Sequence, residues 1–172
     1  LMLANRVAAH VPVHLSTQAN TTSYAAVRFW QSLNVSRVNM ARELSLSEIT
    51  AIHNEVPDME LEAFVHGAMC VSHSGRCLMS SFMANRDSNR GLCAHPCRWQ
   101  YYLVEEQRPG QYHPVLEDER GTYFFNSRDL CILPYHEKMA QSGISSLKIE
   151  GRMKTVHYLA TVLRVYRMAL NA

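Results

Sequence analysis

The feature that most restricts this chain is the alternation of short strands and amphipathic helices over its first third. Residues 13–18 (VHLSTQ) have strand character and end in polar side chains. Thr21 or Thr22 is placed to cap a helix that runs to Leu33, with Ala26, Val27, Trp30 and Leu33 on one apolar stripe. A second strand at 37–41 leads into Arg42 and Glu43. Ser45 and Glu48 form an S-x-x-E capping box that opens a short helix through Ile49 and Ile52, and Pro57 stops it. A third strand covers 60–66. Strand, helix, strand, helix, strand argues for a parallel sheet with helical crossovers.

The rhythm breaks at Gly67. Residues 68–98 carry small and polar side chains with no long period. Residues 99–106 read as a strand, Arg108-Pro109-Gly110 as a turn, 112–117 as an antiparallel return and 121–125 as another extended piece. Asn126 or Ser127 is expected to cap a short helix carrying Leu130, Cys131 and Ile132. Pro134 interrupts, a further helix reaches Ser142, and Gly143 suits the position just past its end. Then the scaffold returns. Residues 146–150 (SLKIE) form a strand, Gly151 turns, and 154–170 is the clearest helix, its stripe being Leu159, Leu163, Tyr166 and Leu170 with Val156 and Val162.

Four parallel-type strands are half of a TIM-like barrel, which usually needs about 250 residues. The expected fold is α/β, the C-terminal half of a TIM-like (β/α) barrel with a cysteine-rich insertion. Its parts are half-barrel units at 1–66, the insertion with short antiparallel strands at 67–133, and a final unit at 134–172. A chain of this kind reads as a fragment of a longer protein. At 172 residues it is long enough for one real core. No apolar run approaches the roughly 20 residues of a membrane span, and the first residues lack a signal-peptide pattern. The expectation is a cytoplasmic protein without a membrane partner.

Four of the five cysteines, Cys70, Cys77, Cys93 and Cys97, fall in the insertion, and Cys131 follows at its end. An odd count in a reducing compartment argues against a disulfide framework and for metal or redox chemistry. Buried reduced thiols are the plainer alternative for any single cysteine. Cys93 and Cys97 form a C-x₃-C pair, but Cys70 and Cys77 are too far apart for a second zinc knuckle.

Ligands of parallel β/α folds bind at the C-terminal strand ends. Here those ends carry Gln18, Arg42, Glu43, Glu62, His66, Lys148, Glu150 and Arg152. Glu62, Phe64 and His66 alternate onto one face, as do Lys148 and Glu150. Arg and Lys there suit a carboxylate or phosphate, and a self-satisfied ring of ion pairs is the alternative. From Arg76 to Arg98 the net charge is +3, and from Glu105 to Glu119 it is −4, against +2 for the whole chain. Arg86, Arg90 and Arg98, near Trp99, Tyr101 and Tyr102, are candidates to hold an RNA backbone and stack a base. There is no G-x-S-x-G, H-E-x-x-H, P-loop or G-x-G-x-x-G motif.

Residues 62–77 (E-x-F-V-H-G-A-M-C-V-S-x-S-G-R-C) and 89–99 (N-R-G-x-C-x-x-P-C-R-W) resemble a known family. It is the collagenase-like family classed among peptidases of unknown catalytic type, the U32 peptidases. Segments 16–30, 37–49, 117–131 and 146–167 agree, so the resemblance covers nearly the whole chain. It lies closest to the branch that hydroxylates bacterial tRNA. The resemblance implies a barrel-like β/α domain within a longer chain. It implies a 4Fe–4S cluster on Cys70, Cys77, Cys93 and Cys131, with Cys97 as an alternative ligand. It also implies 5-hydroxylation of the wobble uridine of tRNA, with prephenate as co-substrate. Prephenate is a dicarboxylate, which Arg42, Lys148 and Arg152 would suit. Glu62, His66, Lys148, Glu150 and Arg152 are then the candidate catalytic residues. Arg42, Glu43, Arg86, Arg90 and Arg98 are the candidate substrate contacts. Proteolysis is the competing activity, and a non-catalytic iron–sulfur or zinc scaffold for RNA or a protein partner is a third reading. The oligomeric state is left open.

Overall fold

The computed structural model describes residues 1–114, 117–118, 121–122 and 129–171. Its centre is a parallel sheet of β1 (Val13–Leu15), β2 (Val35–Asn39), β3 (Glu60–Gly67) and β9 (Ile144–Ile149), in that spatial order. Helix α2 (Tyr24–Ser32) joins β1 to β2, and α3 (Leu46–Glu55) joins β2 to β3. Helices α5 (His136–Gln141) and α6 (Val156–Asn171) flank β9. A short helix α1 (Met2–Val7) precedes the sheet, and its Asn5 Nδ2 donates to the Leu33 carbonyl at 2.7 Å.

The crossovers follow from local chemistry. Ser45 and Glu48 close the capping box on α3: the Ser45 N–H donates to Glu48 Oε2 at 2.7 Å, and the Glu48 N–H to Ser45 Oγ at 3.3 Å. The cap of α2 is Ser23, not Thr21 or Thr22; its Oγ accepts the Ala26 N–H at 3.3 Å. Thr21 is buried instead, and its hydroxyl receives Trp30 Nε1–H at 3.1 Å. The core between the sheet and α2 and α3 holds Val27, Val38, Ile49, Ile52 and Leu61. Val38 and Leu61 are wholly buried, and each such burial stabilises by about 1.5–3 kcal/mol. Gly143 follows α5 with φ +78°, as expected of the residue past a helix end.

The half-barrel expectation holds for the order of elements and for parallel pairing. A barrel does not form: the sheet is open, with β1 and β9 at its edges among the described residues. The consequence shows on α6. Tyr166 is buried and Val162 half-buried, but Val156, Leu163 and Leu170 of the expected stripe are exposed. With no strand beyond β9 among the described residues, that flank of the helix has nothing to pack against.

The insertion runs from β3 to β9. It carries α4 (Met79–Ala84), the antiparallel pair β4 (Tyr102–Leu103) and β5 (His113–Pro114), the pair β6 (Glu117–Asp118) and β7 (Gly121–Thr122), and β8 (Leu130–Cys131). The strand expected over 99–106 is thus cut to two residues. Leu130 and Cys131 are strand, not helix, and pair antiparallel with Gly67 and His66. The reason is tertiary: β2 ends at Asn39, leaving that edge of β3 unpaired at its far end, and Val65 O takes the Ile132 N–H at 3.0 Å. The expected caps Asn126 and Ser127, and Tyr123 to Phe125 of the extended piece, lie outside the described residues. No helix among the described residues is long and apolar enough to cross a membrane.

Candidate active site at the strand ends

All four parallel strands end at one edge, and the first part of the insertion folds over it. Its seat is Ser74, which is fully buried. The Ser74 N–H donates to Glu43 Oε1, and its hydroxyl to Glu43 Oε2 at 3.1 Å. Ser74 Oγ in turn accepts the Arg42 N–H at 3.2 Å and Nε–H at 3.3 Å. Thr17 Oγ1, which donates to the Met40 carbonyl at 3.1 Å, lies 3.3 Å away. Burial alone would raise the Glu43 carboxyl, but the Ser74 bonds and the Arg42 charge outweigh it and hold it below the ordinary range. Gly75 comes next with φ +73°, and a Cβ there would stand 2.1 Å from the Gln18 carbonyl oxygen. Arg42 and Glu43 therefore clamp the cysteine loop onto β1 and β2. Neither the clamp nor Ser74 was foreseen from the sequence; S-G inside the motif is the trace it leaves there.

A cavity opens beneath this loop. Cys70, Cys77, Cys93 and Cys97 line it from the insertion, and Arg42, Phe64, Glu150 and Arg152 line it from the strand ends. Burial pushes the Cys70 and Cys97 thiols up; Cys77 and Cys93 add to this at Cys70, and Cys70 and Cys93 at Cys97. None of the five cysteines is joined in a disulfide. No group of three or more His, Cys, Asp or Glu side chains among the described residues is gathered tightly enough to hold a metal ion. Cys131 does not line the cavity. It is exposed on β8, close enough to Tyr166 for its charge to help burial push that hydroxyl up to about 12.

The cavity widens toward Gln18, Asn89, Arg90 and Lys148. Arg42 and Lys148 place their cations 5.8 and 5.4 Å from the centre of the Phe64 ring. Glu62 stands behind Lys148 and does not line the opening. Its carboxylate accepts Lys148 Nζ–H at 3.1 Å and the Ser146 hydroxyl at 2.7 Å, with Arg37 at 3.9 Å. Burial raises Glu62, but these partners together hold it below the ordinary range, so it stays a carboxylate that orients Lys148. His66 leaves the site altogether. A bulge between Phe64 and His66 breaks the alternation expected of β3, and the ring sits against Tyr158 and Tyr166 at 5.9 and 5.6 Å. Burial lowers its pKa.

The sequence reading missed His95. It follows Cys93 in the left-handed conformation (φ +58°), its N–H donates to Cys93 Sγ at 3.3 Å, and its ring lines the cavity. His95 Nε2 lies 3.6 Å from Glu150 Oε1, both side chains being mostly buried. Burial lowers the imidazole against the pull of the carboxylate. Glu150 Oε1 also takes the Arg152 N–H at 3.0 Å, while Oε2 is buried with no hydrogen-bond partner among the described residues. A carboxylate and an imidazole thus face the thiols across one small space.

The arginines divide. Arg98 is mostly buried: Nη2 donates to the Met69 carbonyl at 3.1 Å and Nη1 lies 3.5 Å from Asp129 Oδ1. It braces the insertion from within and is no surface contact. Asp129 also accepts Lys154 Nζ–H at 2.5 Å and the Tyr158 hydroxyl at 2.9 Å, so it ties the loop to α6. Arg86 and Arg90 are exposed, with no ion pair among the described residues.

The peptidase family U32 model matches residues 1–172. The tRNA hydroxylation protein P of Escherichia coli (strain K12) is 40% identical over 210 aligned residues, covering 99% of this chain and 46% of the relative. The tRNA hydroxylation protein P1 of Bacillus subtilis (strain 168) is 45% identical, covering 97% of this chain and 39% of the relative. A collagenase of Porphyromonas gingivalis (strain ATCC BAA-308 / W83) is 34% identical, covering 100% of this chain and 42% of the relative. The chain thus spans less than half the length of these relatives. No solved structure matches it. The match of the family model over residues 1–172 establishes that the chain belongs to peptidase family U32.

Proposed function

We propose that this chain carries the reactive site of a tRNA hydroxylation protein that adds oxygen to C5 of the wobble uridine, with prephenate as co-substrate and an iron–sulfur cluster as cofactor. The observation that carries the reading is the strand-end cavity, lined by four thiols with Arg42 and Arg152, and adjoined by an opening that Arg152 shares with Lys148. The names of the tRNA-hydroxylating relatives support the substrate class.

The donor type fits an iron–sulfur cluster: four thiols line the cavity, and an all-thiol set is what such clusters take. Cys70, Cys77 and Cys93 would hold it. The lining of the cavity supports Cys97 as the fourth ligand, and the family spacing supports Cys131. When bound, a cluster supplies one-electron chemistry. The chain's own residues have other work. Arg42, Lys148 and Arg152 offer cations for the two carboxylates of prephenate, and Phe64 gives its ring an apolar floor. His95 and Glu150 can hold a proton at Nε2 or at the unpartnered Oε2. Glu62 aims the Lys148 side chain by accepting its Nζ–H at 3.1 Å.

Two measurements test this. In a bacterial host lacking its own tRNA hydroxylation proteins, the wild type is expected to restore 5-hydroxyuridine, read by mass spectrometry of tRNA nucleosides. Lys148→Ala and Arg152→Ala are each expected to lower it by about tenfold or more, the scale of one lost charged hydrogen bond. Unmodified tRNA with the wild type, together with gelatin hydrolysis by the pure protein, would move the function to the peptidase reading that the collagenase relative favours. Full modification by Glu62→Ala and Lys148→Ala would leave the scaffold reading. Separately, anaerobically purified protein is expected to carry about four irons per chain. Cys70→Ala is expected to lose them, and of Cys97→Ala and Cys131→Ala the one that loses them too identifies the fourth ligand. Zinc, or no metal, in the wild type would sink the cluster.

A further inference from the structure

The insertion carries one surface that the cavity does not explain. Helix α4 sits between the Cys77 and Cys93 segments and turns Leu78 and Phe82 outward, 70% and 88% exposed. They stand one helical turn apart and so share a face. Its other side is anchored: Ser80 is fully buried, its Oγ accepts the Ala94 N–H at 2.9 Å, and its carbonyl takes the Arg86 N–H at 3.2 Å. The helix is therefore held firmly while its most apolar side chains face water. A phenylalanine this exposed contributes nothing to the core, and its ring is open to a partner.

The surroundings say which partner. Arg86 follows the left-handed Asn85 that ends α4, and Arg90 closes the next turn, Ser88–Arg90. Both are exposed, and neither has an ion pair among the described residues. The acid between them, Asp87, is engaged in capping that turn: Oδ1 accepts the Asn89 N–H at 2.9 Å. The turn is tied to the cysteine loop by Ser88 Oγ–H, which donates to the Cys77 carbonyl at 2.6 Å. Asn89 and Arg90 then form the cavity mouth with Lys148 and Arg152. Along the chain, exposed Arg86 and Arg90 thus lie between the exposed ring of Phe82 and the residues that close the cavity mouth. Stacking rings beside unpaired arginines are the means by which proteins hold unpaired nucleotides.

We propose that α4 is a stacking platform for an unpaired RNA base next to the one that enters the cavity, with Phe82 under the base, Leu78 extending the apolar surface, and Arg86 and Arg90 on the phosphates between. This rests on the tRNA reading above. A base placed on Phe82 fixes the strand outside the cavity, so a neighbouring nucleotide can be turned into it without the whole loop being free.

The test is binding of a fluorescein-labelled anticodon stem–loop RNA, with uridine at the wobble position, to the full protein, read by anisotropy. Phe82→Leu keeps an apolar side chain but removes the ring. It is expected to weaken binding roughly five- to hundredfold, the scale of one lost base–aromatic stack, with an unchanged melting temperature. Arg86→Ala with Arg90→Ala is expected to flatten the slope of log affinity against log salt by about 0.7 per arginine. Equal binding by Phe82→Leu and wild type, in a protein that does hydroxylate tRNA in cells, overturns the platform alone and leaves α4 to a protein partner. A wild type that neither binds this RNA nor modifies tRNA brings down the tRNA reading, and the platform with it.

Discussion

Gly67→Ala is expected to destabilise the protein by about 2–4 kcal/mol and to open the candidate site. Gly67 ends β3 with φ +103°, where an L side chain is strained. The larger effect is steric. A Cβ would stand 2.2 Å from the Glu150 carbonyl oxygen and 3.0 Å from its carbon. Both are backbone atoms at the end of β9 and cannot swing aside as a flexible side chain would. Relief requires moving β9 from β3, which breaks the hydrogen bond from the Glu150 N–H to the His66 carbonyl at 2.8 Å. Glu150 then loses its place against His95. In denaturant unfolding the variant's midpoint should fall, and in a thermal scan it should melt roughly 5–15 °C lower. Gly110→Ala is the control: φ is +90° there, but no atom lies within 4 Å of its Cβ position. Its cost should stay near 1 kcal/mol, the strain of the backbone alone. Equal losses at the two glycines would show that Glu150 is not what Gly67 makes room for.

Asp129→Asn is expected to remove about 1–3 kcal/mol at neutral pH, and the difference from wild type should vanish in acid. Burial by itself raises the Asp129 carboxyl, but the bonds from Lys154 and Tyr158 and the charges of Lys154 and Arg98 together hold it below its ordinary value of 3.8. A carboxyl lowered in the fold stabilises the fold above its unfolded pKa, and that contribution is lost as pH falls through the lower, folded value. Melting temperatures of wild type and Asp129→Asn, followed downward from neutral pH, should therefore stay apart to about pH 4 and converge below it. Tyr158 gives the opposite edge. Burial, then the bond to Asp129, push its hydroxyl from 10 up to about 12. A group raised in the fold stabilises below its unfolded value, so the cluster should loosen again as pH rises from 10 to about 12. Parallel profiles at all pH would mean that Asp129 acts by shape and not by charge. Asp129 precedes Cys131 by two residues and braces Arg98, next to Cys97, so its loss should also loosen the cysteine loop.

Features that depend on near neighbours were legible in the residues alone. The capping box at Ser45 and Glu48, the strand–helix alternation up to β3, and Gly143 past α5 were all legible because a cap, a period or a positive φ involves residues a few positions apart. The gathering of Cys70, Cys77, Cys93 and Cys97 in one loop was legible for the same reason, and the loop's motifs identified the family.

Which faces and edges meet was set by long-range packing. The two-residue period put His66 beside Phe64, but a bulge, which is set by pairing with β9, turned it toward α6. Leu130 and Cys131 looked helical because their own residues permit a helix; an edge of β3 left unpaired by the short β2 made them a strand. Arg98 read as a surface cation until Asp129, thirty-one residues away, was brought against it. His95 carried no local signal, and Ser74 only the S-G inside the motif. Their roles come from Glu150 and Glu43, carboxylates that lie far off in the chain and are neighbours only because parallel strands end together at one edge of the sheet.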